Sequence, residues 1–136
     1  MRQVFAREVH LPPTVLIVDD SPTIRGIAKI FLKPLSVDVM EAEEGSKALE
    51  MVRASVPAVA IVDVNMPGMD GLTFLRELRG DARPEIARLP VVLLTGDRSE
   101  ETRRKGREAG ATDFIEKPIK GAELQALVKK FLGRMP

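Results

Sequence analysis

The sequence predicts an α/β fold in which five parallel strands form one doubly wound sheet with helices on both faces. Three observations predict it. Short apolar runs alternate with amphipathic stretches five times over, and the connections between them are short. Several runs are rich in Val and Ile and apolar at every position, the pattern of strands buried on both faces. No internal repeat, low-complexity segment or second domain interrupts the alternation.

The first strand is expected at VLIV, 15–18, just after Pro12 and Pro13 close off an N-terminal extension of residues 1–14. Ser21 then reads as a helix N-cap with Pro22 at the first helical position, and Ile24, Ile27, Ala28 and Phe31 follow at three-and-four spacing until Pro34. The second strand is expected at VDVM, 37–40. Its helix, 46–54, places Ala48, Leu49 and Val52 on one face. After the third strand, VAIV at 59–62, a helix starts near Asp70 and turns Leu72, Leu75 and Leu78 inward. VVLL at 91–94 is the fourth strand, FI at 114–115 a weaker fifth, and the last helix, 121–132, carries Leu124, Leu127, Val128 and Phe131.

The fourth helix, 99–109, differs. Glu100, Glu101, Arg103, Arg104, Lys105, Arg107 and Glu108 leave only Thr102, Gly106 and Ala109 for an inner face. With so little to bury, and a mid-helix glycine costing about 1 kcal/mol relative to alanine, this helix is expected to be mobile. Its charges read as a solvated face with same-helix ion pairs. Its basic middle also suggests an acidic partner surface for Arg103, Arg104 and Arg107.

Composition excludes whole classes of chemistry. The chain has 136 residues, and 21 Lys and Arg against 20 Asp and Glu leave a net charge of +1, so no strong field draws it to nucleic acid or a membrane. There is no Cys, hence no disulfide, thiol nucleophile or Cys-based zinc site. A single histidine, His10 in the extension, excludes a multi-histidine metal centre. No apolar run approaches the roughly twenty residues of a membrane span. Residues 1–14, with Arg2 and Arg7 and no continuous apolar segment, do not read as a signal peptide, so the cytoplasm is the expected compartment. Chemistry must run on carboxylates, hydroxyls, lysine and bound ions.

In a doubly wound sheet, ligands bind beyond the carboxyl ends of the strands. Here the first strand runs into Asp19 and Asp20, the third into Asp63, the fourth into Thr95, and the fifth into Lys117 followed by Pro118. Parallel strands share one carboxyl edge, so these five side chains converge. Three crowded carboxylates repel one another unless a cation balances them, and an all-oxygen set suits a hard ion such as Mg²⁺. An aspartate can act as covalent nucleophile toward phosphorus, with Lys117 offsetting charge on the transferring group and Thr95 offering a hydrogen bond. The patch reads as a phosphoryl acceptor.

Four motifs carry a resemblance: VLIVDDSPTIR with Asp19 and Asp20, IVDVNMPGMDG around Asp63, LLTG with Thr95, and FIEKP with Lys117. From residue 15 to about 132 the chain resembles a response-regulator receiver domain of two-component signalling. The resemblance implies a flavodoxin-like sheet of order 2-1-3-4-5 and a receiver domain over 15–133. It implies Asp63 as the phosphorylated residue, and Mg²⁺ on Asp20, Asp63 and the Asn65 main-chain carbonyl, assisted by Asp19. Lys117 would contact phosphoryl oxygens, its bond to Pro118 often being cis in the family. Thr95 and Phe114 would be the switch residues, and Asn65 and Asp97 would tune the lifetime of the phosphorylated state. Pro67, Gly68 and Gly71 match the loop after the acceptor.

The implied partners are a histidine kinase or histidine phosphotransfer protein, since the chain lacks a suitable histidine, and a downstream protein bound through the fourth helix, fifth strand and fifth helix. Apart from accepting and losing its own phosphoryl group, the chain is not expected to be an enzyme. DDSPTIR resembles the chemotaxis and motility subgroup, whose members act alone by protein contact. Phe114 departs from the tyrosine of the chemotaxis regulators and cannot donate a hydroxyl hydrogen bond. A rival reading is a Mg²⁺-dependent phosphohydrolase with an Asp nucleophile, of the haloacid-dehalogenase type. It expects a second Asp as general acid where Asn65 stands, and a substrate cap domain. A constitutive interaction module of the same fold has no reason to keep so costly a carboxylate cluster. Nucleotide binding lacks a Gly-rich phosphate loop.

Overall fold

A computed structural model describes residues 11–133. His10 and the apolar Val4, Phe5 and Val9 of the extension lie outside the described residues. Strands β1 (Thr14–Val18), β2 (Asp38–Ala42), β3 (Val59–Asp63), β4 (Val91–Thr95) and β5 (Asp113–Glu116) form one sheet in the order β2-β1-β3-β4-β5. Every neighbouring pair is parallel. Helices α1 (Pro22–Leu32), α2 (Gly45–Ala54), α3 (Gly71–Arg79), α4 (Glu100–Ala109) and α5 (Gly121–Leu132) alternate with the strands. The expected doubly wound sheet is therefore present, with its switch of winding direction at β1, between β2 and β3.

The side-chain period of two divides the core into halves. Val15, Ile17, Val59, Ile61, Val92, Leu94 and Ile115 face one way and pack against Ala28 and Leu32 of α1 and Leu124, Val128 and Phe131 of α5. Their alternates, Leu16, Val18, Ala60, Val62, Val91 and Leu93, face the other way, against α2 and α3 and the single alanine, Ala109, of α4. Because both faces are covered, strands β3 and β4 are buried along their whole length.

Local chemistry sets the helix starts. The Ser21 hydroxyl accepts a hydrogen bond from the Ile24 amide (3.3 Å), with Pro22 inside the first turn of α1. Asp70 caps α3 by accepting from the Thr73 amide at 2.8 Å.

Three differences from the sequence reading have physical causes. Strand β2 lies at 38–42 rather than 37–40 because it is an edge strand. Its outward Glu41 is taken up by Arg25 and Lys29 at 3.0 and 2.9 Å, so it does not read as an apolar run. Phe74, fully buried on α3, joins Leu75 and Leu78 in the core, whereas Leu72 is only partly buried. A 3-10 turn, Lys33–Leu35, and a helical turn, Pro84–Ala87, were not anticipated.

That second turn is held by Arg79, the last residue of α3. Its guanidinium donates to the carbonyls of Ala87 (3.0 Å), Leu89 (2.7 Å) and Gly110 (3.0 and 2.8 Å). One planar fork of donors thus ties α3, the 84–89 segment and the carboxyl end of α4 together.

Candidate functional site

The ends of β1, β3 and β5 bring Asp19, Asp20, Asp63 and Lys117 together, with Thr95 at the end of the neighbouring β4. Asp19, Asp20 and Asp63 each place a carboxylate oxygen within 4.8 Å of the others, and Lys117 Nζ lies 3.3 Å from Asp19 Oδ2 and 3.2 Å from Asp63 Oδ1. Asp19 and Asp63 are buried, while Asp20 is exposed at the mouth.

Asp19, Asp63 and Lys117 are fixed by local backbone contacts. The Asp19 amide donates to the Ala42 carbonyl, its Oδ1 accepts from the Ser21 amide (2.9 Å), and its carbonyl accepts from Arg25 Nη1 (2.6 Å). Asp63 Oδ1 accepts from the Asn65 amide at 3.2 Å. The chain then turns back so closely that a Cβ on Gly71 would sit 2.3 Å from the Asp63 carbonyl oxygen, and only glycine permits the approach. The Lys117 amide donates to the Thr95 carbonyl (2.8 Å), and the Lys117–Pro118 peptide bond is cis.

The electrostatics are unbalanced. Burial pushes the Asp63 carboxyl above its ordinary range and the Asp19 charge adds to this; Lys117 and the Asn65 amide only partly oppose them. Burial by itself would lower the Lys117 pKa, but the charges of Asp63 and Asp19 outweigh it and the ammonium is held more firmly protonated. The two partners shift in the same sense because Lys117 has two carboxylates, whereas Asp63 shares one ammonium with a like-charged neighbour. Asp19 Oδ2 is buried, and beyond the Lys117 ammonium at 3.3 Å no donor serves it among the described residues. An all-oxygen cluster with surplus negative charge, and with a buried oxygen served only by that one ammonium, fits a hard divalent cation such as Mg²⁺.

Thr95 is fully buried. Its hydroxyl donates to the Asp97 carbonyl (3.1 Å) and accepts from the Asp97 amide (2.9 Å). Phe114 pairs in register with Leu93, on the face covered by α4, and its ring occupies space that a Cβ on Gly106 would invade at 2.6 Å. The mid-helix glycine is thus a seat for Phe114. Arg103 covers the ring, 5.1 Å from its centroid, and pairs with Glu116 at 3.0 Å; Arg98 pairs with the same carboxylate at 2.9 Å.

The Asp97 carboxylate is engaged by the first turn of α4 rather than the carboxylate cluster: Oδ1 accepts from the Ser99 amide (2.8 Å), and Oδ2 accepts from the hydroxyls of Ser99 (3.1 Å) and Thr102 (2.6 Å). These donors hold its pKa below the ordinary value, Thr102 contributing most. The basic run of α4 is ion-paired: Arg104 with Glu108, Lys105 with Glu101, Arg107 with Glu100, and Arg103 with Glu116. This supports the solvated face rather than a free basic surface. Sequence reasoning missed Arg25, Glu116, Ser99 and Thr102 as supports. Of these only Ser99 carried a signal, as an N-cap residue opening a helix.

A sequence profile of the response regulator receiver domain matches residues 15–129, and the chain belongs to that family. It is 38% identical over 118 residues to the sensor histidine kinase CheAY of Helicobacter pylori, covering 85% of this chain and 14% of the kinase. Among solved structures it resembles the chemotaxis protein CheY4 of Vibrio cholerae, with 31% identity, a TM-score of 0.81, and coverage of 88% of this chain and 98% of that one. It also resembles the receiver domain of sensor histidine kinase PA1611 of Pseudomonas aeruginosa, described with a magnesium ion coordinated in its active-site cleft. There the identity is 27% and the TM-score 0.81, over 90% of this chain and 98% of that one. The chain spans between 14% and 53% of the lengths of the first curated relatives it matches.

Proposed function

We propose that this receiver is a phosphorylation switch with Asp63 as acceptor. The observation that carries the reading is a buried Asp63, crowded by Asp19 and Asp20 and touched by Lys117, at the carboxyl edge of the sheet. Asp20, Asp63 and the Asn65 main-chain carbonyl would hold Mg²⁺, with Asp19 assisting. The bound ion supplies positive charge that offsets the carboxylates and the phosphoryl oxygens.

An Asp63 oxygen attacks the phosphorus of a phosphohistidine presented by a histidine kinase or a phosphotransfer protein. A P–O bond forms as the P–N bond breaks, and the electron pair returns to the donor imidazole. Lys117, between Asp19 and Asp63, stabilises charge on the transferring group, while the Thr95 hydroxyl and the Phe114 ring respond to it. In resetting, water attacks phosphorus, the bond to Asp63 breaks, and inorganic phosphate leaves. The chain turns over no other substrate.

The switch is read by a protein at the α4–β5–α5 face, where Arg98, Arg103, Phe114, Glu116, Lys120 and Glu123 border a cleft of about 250 Å³. A stand-alone cytoplasmic regulator in chemotaxis or motility control is the setting we favour. Among the described residues no helix is long and apolar enough to cross a membrane.

Incubation with acetyl phosphate and Mg²⁺, followed by intact mass, tests the reading. One phosphoryl group is expected on the parent and none on D63N. Equal uptake by D63N would refute the acceptor assignment. Turnover of assorted phosphate esters without a lasting adduct would instead identify a hydrolase.

A further inference from the structure

Thr95 has one hydroxyl proton, and it is committed to the Asp97 carbonyl, while the same oxygen accepts the Asp97 amide hydrogen. Asp97 in turn grips α4 by three hydrogen bonds, from the Ser99 amide and from the Ser99 and Thr102 hydroxyls. The Ser99 hydroxyl also accepts from the Thr102 amide at 3.2 Å, closing the first turn of the helix. Thus one residue, exposed and outside the carboxylate cluster, bonds to the buried hydroxyl through its main chain and to a helix through its side chain.

We infer that Asp97 is a positioning residue that transmits the state of Thr95 to α4. The inference rests on the receiver reading above. A single proton cannot serve a phosphoryl oxygen and the Asp97 carbonyl together. When Thr95 turns to the phosphoryl group, Asp97 loses the donor to its carbonyl and the acceptor of its amide in one step. Its carboxylate remains attached to Ser99 and Thr102, so the loosened main chain carries the first turn of α4 with it. Nothing covalent changes, and the proton stays on Thr95 throughout.

The alternatives separate experimentally. Amide spectra of the parent, D97A, D97N and T102V are compared with and without acetyl phosphate and Mg²⁺, and the dephosphorylation rate is measured after donor removal. In the parent, Thr95, Gly96, Thr102, Arg103 and Gly106 are expected to shift together. In D97A the Thr95 and Gly96 shifts persist while those of Thr102, Arg103 and Gly106 are lost, and before phosphodonor is added the β1 and β3 amides of D97A coincide with those of the parent, which shows an intact fold. D97N restores the α4 response, because an amide can accept from the Ser99 amide and donate to the Thr102 hydroxyl oxygen. T102V removes one grip and weakens the response. Undiminished α4 shifts in D97A, or a changed dephosphorylation rate with α4 unaffected, overturns the inference. Failure of the parent to take up a phosphoryl group overturns the receiver reading itself, and is distinguishable because no adduct forms at all.

Discussion

Gly71→Ala is the sharpest perturbation of the loop between Asp63 and α3, because what the new methyl group meets is main chain rather than a side chain that could swing aside. Its Cβ would lie 2.3 Å from the Asp63 carbonyl oxygen and 3.0 Å from both the Asp63 carbonyl carbon and Val64 Cα, whereas ordinary contact begins at 3.4 Å. The end of β3 and the start of α3 must then part by about 1.1 Å, the difference between contact and the closest approach. Neither side yields freely. The Val64 amide is bonded to the Leu94 carbonyl at 2.9 Å, and α3 is anchored by its Asp70 cap and fully buried Phe74. Overpacking of this kind costs about 1–3 kcal/mol, and at roughly 4 °C per kcal/mol for a domain of this size Tm should fall by several degrees. A misplacement near 1 Å at a reacting group costs up to about 100-fold in rate, so phosphoryl uptake on Asp63 should slow by about 10- to 100-fold. Thermal unfolding and the time course of intact mass with acetyl phosphate measure the two effects. A G71A variant with parental Tm and parental uptake would refute the close approach and the rigidity assigned to the loop.

Asp63→Asn should stabilise the protein in the absence of divalent ions, by roughly 1 kcal/mol at neutral pH. Because the fold raises the Asp63 pKa, its contribution is fully present below the unfolded carboxylate pKa and is lost as pH rises through the raised value. The gap between D63N and parent should open over that window in urea unfolding; a pH-independent gap contradicts it. The raised Lys117 pKa acts only in the alkaline range, where its stabilisation is lost as pH climbs. Saturating Mg²⁺ should reverse the order, since about 100 Kd of a ligand adds roughly 2.7 kcal/mol to the state that binds it. Gly106→Ala should gain about 1 kcal/mol of helix propensity yet displace the Phe114 ring, whose Cε2 and Cζ would lie 2.6 and 2.7 Å from the new methyl. Loss of the Phe114–Leu93 nuclear Overhauser contacts, with little net change in Tm, is expected; contacts that persist would show that α4 moved instead.

Much of the fold is legible in the sequence because its signals are local. Apolar runs with period-two burial and caps such as Ser21 and Asp70 place the five strands and most helix starts. The carboxyl-edge cluster follows from topology, since parallel strands ending in Asp, Asp, Thr and Lys can put those side chains nowhere else. What escaped depends on partners distant in the chain. The register of β2 reflects its place at the sheet edge and the pull of Arg25 and Lys29 on Glu41. Gly106, read along α4, is only a flaw; beside Phe114 it is the one residue type that leaves room for the ring. That the Asp97 carboxylate bonds to Ser99 and Thr102 depends on how the chain turns into α4, which no local pattern gives.

Arg79 has a mechanical consequence. By holding the Gly110 carbonyl it pins the carboxyl end of α4 to α3, while the opposite end is attached through Asp97 to the Thr95 hydroxyl, which under the proposed switch changes partners. A rod fastened at one end would swing when the other is released. At 1.5 Å per residue the ten-residue α4 is about 15 Å long, so a displacement of about 1 Å at its first turn is a tilt of only about 4°. The arc shrinks toward Gly110, which makes Arg103, near the free end and folded over Phe114, a more sensitive reporter of the swing than Arg107 or Glu108.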